Sequence, residues 1–188
     1  MKRDLPVASP AQAFQTAIIL HFAYTMAVII YIVAGELMRV TITDFAPEGF
    51  TNYDDQIWAL RAVFAALSFL GLFATHVLYA DSRVVDGLLK RGGEVTDASV
   101  LMRLQTVHIL KLGWTGSIAI FGLVLYVFNA DRLDLYSFCL VALANFILIL
   151  PQRDQWEAIF RRVATEHSGV SSMPWWRHRR RLLESPAK

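Results

Sequence analysis

Apolar residues gather in four blocks along this chain, at roughly residues 11–38, 57–80, 104–128 and 135–150. A helix needs about 20 apolar residues to cross ~30 Å of hydrocarbon, and the first three blocks meet that length. The fourth is about 16 residues long and needs its flanks, a thinned bilayer or neighbouring helices. Polar residues inside the first three blocks recur at helical spacing, so each of those blocks carries one polar stripe. The pattern predicts an all-α integral membrane protein, an antiparallel bundle of four transmembrane helices. A fifth helix is expected after Pro151, where Trp156, Ile159, Phe160, Val163 and Ala164 alternate with Arg153, Glu157, Arg161 and Arg162. That helix is amphipathic and cytoplasmic. The expected division is a four-span domain over 1–152 and a helix plus basic tail over 153–188.

The connections are read from turn chemistry. Residues 41–56 carry Pro47, Gly49, Phe45, Phe50 and Tyr53 and are expected on the membrane surface. Val84, Val85, Leu88 and Leu89 give 81–97 one apolar face, which predicts a short surface helix before Gly92–Gly93. Thr96 or Asp97 can cap the third helix. Residues 129–134 form a tight turn, so helices three and four are expected to be antiparallel neighbours.

Charge orients these elements. Fifteen of the 18 basic residues fall at the N-terminus, between blocks two and three with Lys111 just inside block three, or after Pro151. The 41–56 segment has Asp44, Glu48, Asp54 and Asp55 and no Lys or Arg. The positive-inside rule then puts both termini in the cytoplasm and the acidic loop outside, in a bacterial inner membrane. The first block follows Lys2 and Arg3 but is much longer than a ~7–15-residue signal core, so it is read as a retained span.

Composition agrees. With 55% apolar residues and a mean hydropathy of +0.42, an ordinary soluble domain is excluded. The single cysteine, Cys139, rules out an intramolecular disulfide or a thiolate cluster within one chain and is read as a packing residue. The tail residues Trp175, Trp176, Arg177, Arg179, Arg180 and Arg181 combine indoles with a basic run. Indoles favour the headgroup layer, and cytoplasmic arginines attract anionic lipid at about 1 kcal/mol per charge. The tail is therefore a candidate contact for the bilayer or a partner subunit, in preference to nucleic acid.

Candidate chemistry lies on the polar stripes, because ionisable groups at membrane depth normally face the protein interior. The first stripe holds His21, Thr25, Glu36 and Arg39; the second Arg61, Ser68, Thr75 and His76; the third His108, Lys111, Thr115, Tyr126 and Asn129. The fourth block offers Asn145. Depth sorts them into two layers. His21, His76, His108 and Lys111 lie toward the cytoplasmic side, and Glu36 and Arg61 near the outer boundary. Imidazoles at matched depth suit haem iron or a transition metal, so the inner layer is a candidate haem b or metal site, with Lys111 or Arg103 placed for propionates. The plain alternative is hydrogen bonding between helices. Glu36 and Arg61 are expected to pair and align helices one and two.

No P-loop, G-x-G-x-x-G, H-E-x-x-H or G-x-S-x-G pattern occurs. The expectation is a non-catalytic accessory, assembly or structural subunit of a larger membrane complex, with other membrane subunits or further copies of itself as partners. A b-type haem electron-transfer subunit and an oligomeric small transporter or ion channel are the competing readings.

Overall fold

A computed structural model describes residues 10–42, 54–78, 80, 83, 86–87 and 96–166. Among these the chain is all-helical, with no strand. Helix α1 is Pro10–Ile42. Helix α2 is Asp54–Phe73 and runs directly into a π-turn, Ala74–Leu78. Helix α3 is Asp97–Asn129, α4 Arg132–Leu148 and α5 Arg153–Glu166. Three helical stretches, Gln12–Met38, Asp55–Val77 and Ala98–Asn129, are each long and apolar enough to cross a membrane. The fourth block qualifies only when Arg132–Leu148 is joined to Arg153–Val163, in keeping with its short apolar run. The 41–56 surface segment apart from its helical ends, the 84–89 helix apart from residues 86–87, and the Trp175–Arg181 tail lie outside the described residues.

The termini of the elements follow local chemistry. Thr96 caps α3 reciprocally with Ser99: Ser99 N–H donates to Thr96 Oγ1 at 3.3 Å, and Thr96 N–H to Ser99 Oγ at 3.0 Å. Asp131 caps α4, its side chain accepting from Leu133 N–H. Ala130 ends α3 at φ 56°, and its N–H donates to Tyr126 O at 2.8 Å. This is the left-handed residue that lets a helix stop and reverse.

The chain groups into two compact units. One contains 1–19, 79–109 and 151–188. Its core joins Ala13, Phe14 and Ala17 of α1, Val100, Leu101 and Leu104 of α3, and Trp156, Ile159, Phe160 and Val163 of α5. Phe14 meets Trp156 edge to face, with centroids 5.3 Å apart. The apolar stripe of α5 is therefore spent on protein contacts. Its exposed face carries Arg161, paired with Glu157, and Arg162, bonded to Asp86 at 2.7 Å.

The other unit contains 20–78 and 110–150. Its core is Val28, Leu112, Ile118, Ala119, Tyr126, Leu135, Cys139, Ala142, Phe146 and Ile149. Exposure is inverted relative to a water-soluble domain. Phe69, Leu140 and Ile147 are 68%, 68% and 76% exposed, whereas Thr115 and Asn145 are 0% and 2%. Apolar surface outward and polar groups inward is the arrangement an apolar solvent requires. Helix α2 stands apart: only 11% of its spanning window is buried, against 39% for α3. Its inward residues are small or polar, namely Ser68, Gly71 and Thr75. It meets α3 through a Phe64–Phe121 stack at 4.6 Å and through Gly71, over which the Trp114 indole lies.

Small residues set the closest approaches. A Cβ at Gly122 would lie 2.6 Å from Phe138 Cβ and 3.1 Å from the Asp134 carbonyl oxygen, so α3 and α4 touch backbone to backbone there. A Cβ at Gly113 would meet nothing within 4 Å. Gly122→Ala is therefore expected to destabilise by about 1–3 kcal/mol through overpacking. Gly113→Ala is expected to be neutral or stabilising by up to ~1 kcal/mol through helix propensity. Equilibrium unfolding of the purified variants in one detergent checks the contrast.

Candidate functional site

Two polar clusters sit in the 20–78 and 110–150 unit, one on each end of α2. The first is built on Arg61. Its Nε donates to Asp134 Oδ2 at 2.9 Å and its Nη2 to Asp131 Oδ2 at 2.8 Å. Asn129 Nδ2 donates to the same Asp134 Oδ2 at 2.6 Å, and Asn129 Oδ1 accepts from Asp131 N–H at 2.8 Å. The guanidinium lies 5.7 Å from the Trp58 ring centroid. Turn and arginine thus form one ionic knot. Its two carboxylates sit at the N-terminus of α4, where the helix dipole favours negative charge. Arg61 takes these two aspartates, at the start of α4. The reason is geometric: the cap residue and the residue three positions later present two oxygens to one planar fork. Glu36 accepts from the Tyr136 hydroxyl.

The second cluster lies at the opposite end of α2. His76, inside the π-turn, has Nε2 2.7 Å from Asn145 Oδ1. Asn145 Nδ2 donates to Thr115 Oγ1 at 2.6 Å, and Thr115 Oγ1 donates to Lys111 O at 2.8 Å. Counting protons orients the whole chain. A hydroxyl has one proton, and Thr115 gives it to the Lys111 carbonyl. The Asn145 amide must then be the donor to Thr115, which turns its carbonyl oxygen to His76. An oxygen facing Nε2 requires a proton on Nε2. Neutral His76 is therefore the Nε2–H tautomer, and the ring nitrogen left with a lone pair is Nδ1.

The other inner-layer residues are placed as follows. His21 is buried, with its ring edge-on to Phe146 at 5.6 Å, and its carbonyl accepts from Thr25 Oγ1. Lys111 contributes its carbonyl to the Thr115 bond and its side chain is half-buried. His108 is buried and belongs to the other unit, whose α3 segment also bonds Gln105 Nε2 to Ala13 O at 3.3 Å. Among the described residues no group of three or more His, Cys, Asp or Glu side chains is arranged to hold a metal ion. At His76, Nε2 lies within hydrogen-bond distance of Asn145 Oδ1. Ser68, also buried on α2, has a hydroxyl without a hydrogen-bond partner.

Asp131 and Asp134 escaped the sequence reading, which took 129–134 only as a turn. The available signal was two acids three apart at a helix start, at the same outer depth as Arg61. Asn145 and Thr115 were visible as polar residues on apolar helices, but their common partner was not.

No protein-family model, curated protein or solved structure matches this chain.

Arg61→Ala leaves two carboxylates facing one another and is expected to cost about 1–3 kcal/mol. Asp131→Ala, at the more exposed acid, should cost less than Asp134→Ala. A double-mutant cycle between Arg61→Ala and Asp134→Ala should give a coupling above the ~0.6 kcal/mol average of interhelical hydrogen bonds in membranes. Additive single effects would contradict this account of the knot.

Proposed function

We propose that this chain is a non-catalytic accessory, assembly or structural subunit of a larger membrane complex, built as an antiparallel bundle of four transmembrane helices with both termini in the cytoplasm. The observation that carries the reading is the set of polar contacts that tie α2, α3 and α4 to one another. Arg61, Asp134, Asn145 and Thr115 are each engaged in bonds between helices, and His76, the best candidate ligand, is held by its Nε2 proton. Polar groups in an apolar solvent that bond one another join helices; a reaction centre needs at least one of them turned toward a substrate.

The register of α2 supports the membrane placement. Trp58 and His76 are 18 residues apart, or about 27 Å at 1.5 Å per residue, close to the ~30 Å hydrocarbon layer. Trp58 with Arg61 then marks the outer boundary and His76 the inner one. The asymmetry of basic residues supplies the orientation. The apolar surfaces of α1 and α4, including Ile19, Phe22, Leu140 and Ile147, are available to lipid, to other subunits or to further copies of the chain.

Mild-detergent purification is expected to yield stoichiometric membrane partners and a preparation without a Soret band. A Soret band abolished by His76→Ala or His108→Ala would replace this reading with a b-type haem electron-transfer subunit. A homo-oligomer whose liposome flux is lost in Glu36→Gln would replace it with a transporter. Cysteine reporters placed near residue 170 in a Cys139→Ala background should react only after the membrane is opened. Labelling from the periplasm of intact cells would overturn the orientation.

A further inference from the structure

The 20–78 and 110–150 unit brings a lysine and an imidazole together at one end of α2. Two contacts set the register of α2 against α3: Phe64 stacks on Phe121, and the Trp114 ring lies over Gly71. Seven residues forward on α2 match seven back on α3, so the two helices run antiparallel. Lys111 then falls level with Ala74, about 3 Å in depth from His76 at 1.5 Å per residue. Two contacts also set its direction. Around α3, Lys111 lies about 60° from Trp114, which faces α2, and about 40° the other way from Thr115, which bonds Asn145 of α4. Lys111 therefore faces the gap between α2 and α4, where the exposed His76 meets Asn145. Charge in this unit is divided by end. Its described acidic side chains, Glu36, Asp55, Asp131 and Asp134, belong to the end that holds Arg61. Lys111 and His76 belong to the other.

We infer that this inner cleft seats an anionic phospholipid of the cytoplasmic leaflet, with its phosphodiester on Lys111. The inference rests on the membrane placement and orientation proposed above, and the seat is separate from the basic tail. Helical side chains lean toward the helix N-terminus, which for α3 is then the cytoplasmic end. The Lys111 stem runs along apolar surface and carries its ammonium toward headgroup depth. An ammonium has three protons, so it can hold a phosphate oxygen alongside a protein acceptor. The His76 ring nitrogen that does not face Asn145 is offered to the same headgroup. Trp114, 38% exposed and about 4.5 Å deeper on α3, walls the start of an acyl chain. Basic pockets between spans on the cytoplasmic side suit anionic headgroups, whereas a zwitterionic lipid brings a cation of its own to Lys111.

The test uses the full chain with Arg177, Arg179, Arg180 and Arg181 replaced by Gln, so that the tail does not contribute. It is placed in phosphatidylcholine nanodiscs containing a minor share of phosphatidylglycerol and released into native mass spectrometry. The chain should retain phosphatidylglycerol in preference to phosphatidylcholine. Lys111→Gln should lower that preference about fivefold, the factor that ~1 kcal/mol per basic residue near an anionic surface gives. Lys111→Arg should keep it. No preference in the parent chain, or one unmoved by Lys111→Gln, overturns the seat. Thermal unfolding is the second readout. Phosphatidylglycerol should raise Tm in the parent chain and not in Lys111→Gln. The same rise from inorganic phosphate in pure phosphatidylcholine would make the ligand a free phosphate and overturn the lipid. A chain that fails to enter nanodiscs overturns the membrane placement itself, which separates that failure from loss of the seat alone.

Discussion

Helix α2 has almost no apolar reason to stay where it is. In the membrane placement proposed above, burying leucine gains little over leaving it in lipid, so helix association there rests on close packing and interhelical hydrogen bonds. On α2 the fully buried residues are small or polar, Phe64 and Leu72 add partly buried packing, and the large side chains Phe69, Leu70 and Phe73 point outward. Among the described residues its contacts include an ionic knot near residue 61, a hydrogen-bonded chain near residue 76, and between them a Phe64–Phe121 stack, the Gly71–Trp114 approach and Leu72 against the core. Two clamps fix both position and rotation, since a helix held at one point can still turn about its axis.

The two clamps differ in kind. Arg61 is a charged fork against two carboxylates, tolerant of small displacements because Coulomb attraction is long-ranged and weakly directional. The His76–Asn145–Thr115 chain is directional at every link and fails if one donor and one acceptor exchange places. Each clamp spans a range of exposure: Asp134 is buried beside partly exposed Arg61 and Asp131, and Asn145 and Thr115 are buried while His76 is exposed. The unforgiving clamp coincides with the irregular backbone: the π-turn appears at the end of α2 where alignment has to be met by a particular atom.

Much of the architecture was legible along the chain. The three long apolar blocks became helices within a few residues of the expected bounds, because desolvation of an apolar backbone leaves helix as the local solution. Thr96 as a cap, the reversal at 129–134 and the helix after Pro151 were equally local, each set by residues within one or two turns. The polar stripes were legible as stripes. Their partners were not: Arg61 found Asp131 and Asp134 some seventy positions away, and Glu36 found Tyr136 a hundred away. Angular phase says which face a residue is on, but not which of several acids at one depth will reach it.

The sequence by itself determined that the chain is helical, which segments suit a membrane interior, and the asymmetry of charge from which an orientation can be argued. These depend on hydrophobicity and charge summed over many residues, so no single contact can overturn them. Only the tertiary structure decided that the amphipathic helix after Pro151 spends its apolar face on Phe14, Val100 and Leu104, that Gly122 brings two backbones together, and that His76 is held through Nε2. Those outcomes turn on single interatomic distances and on the placement of one proton, to which a pattern of residue types is blind.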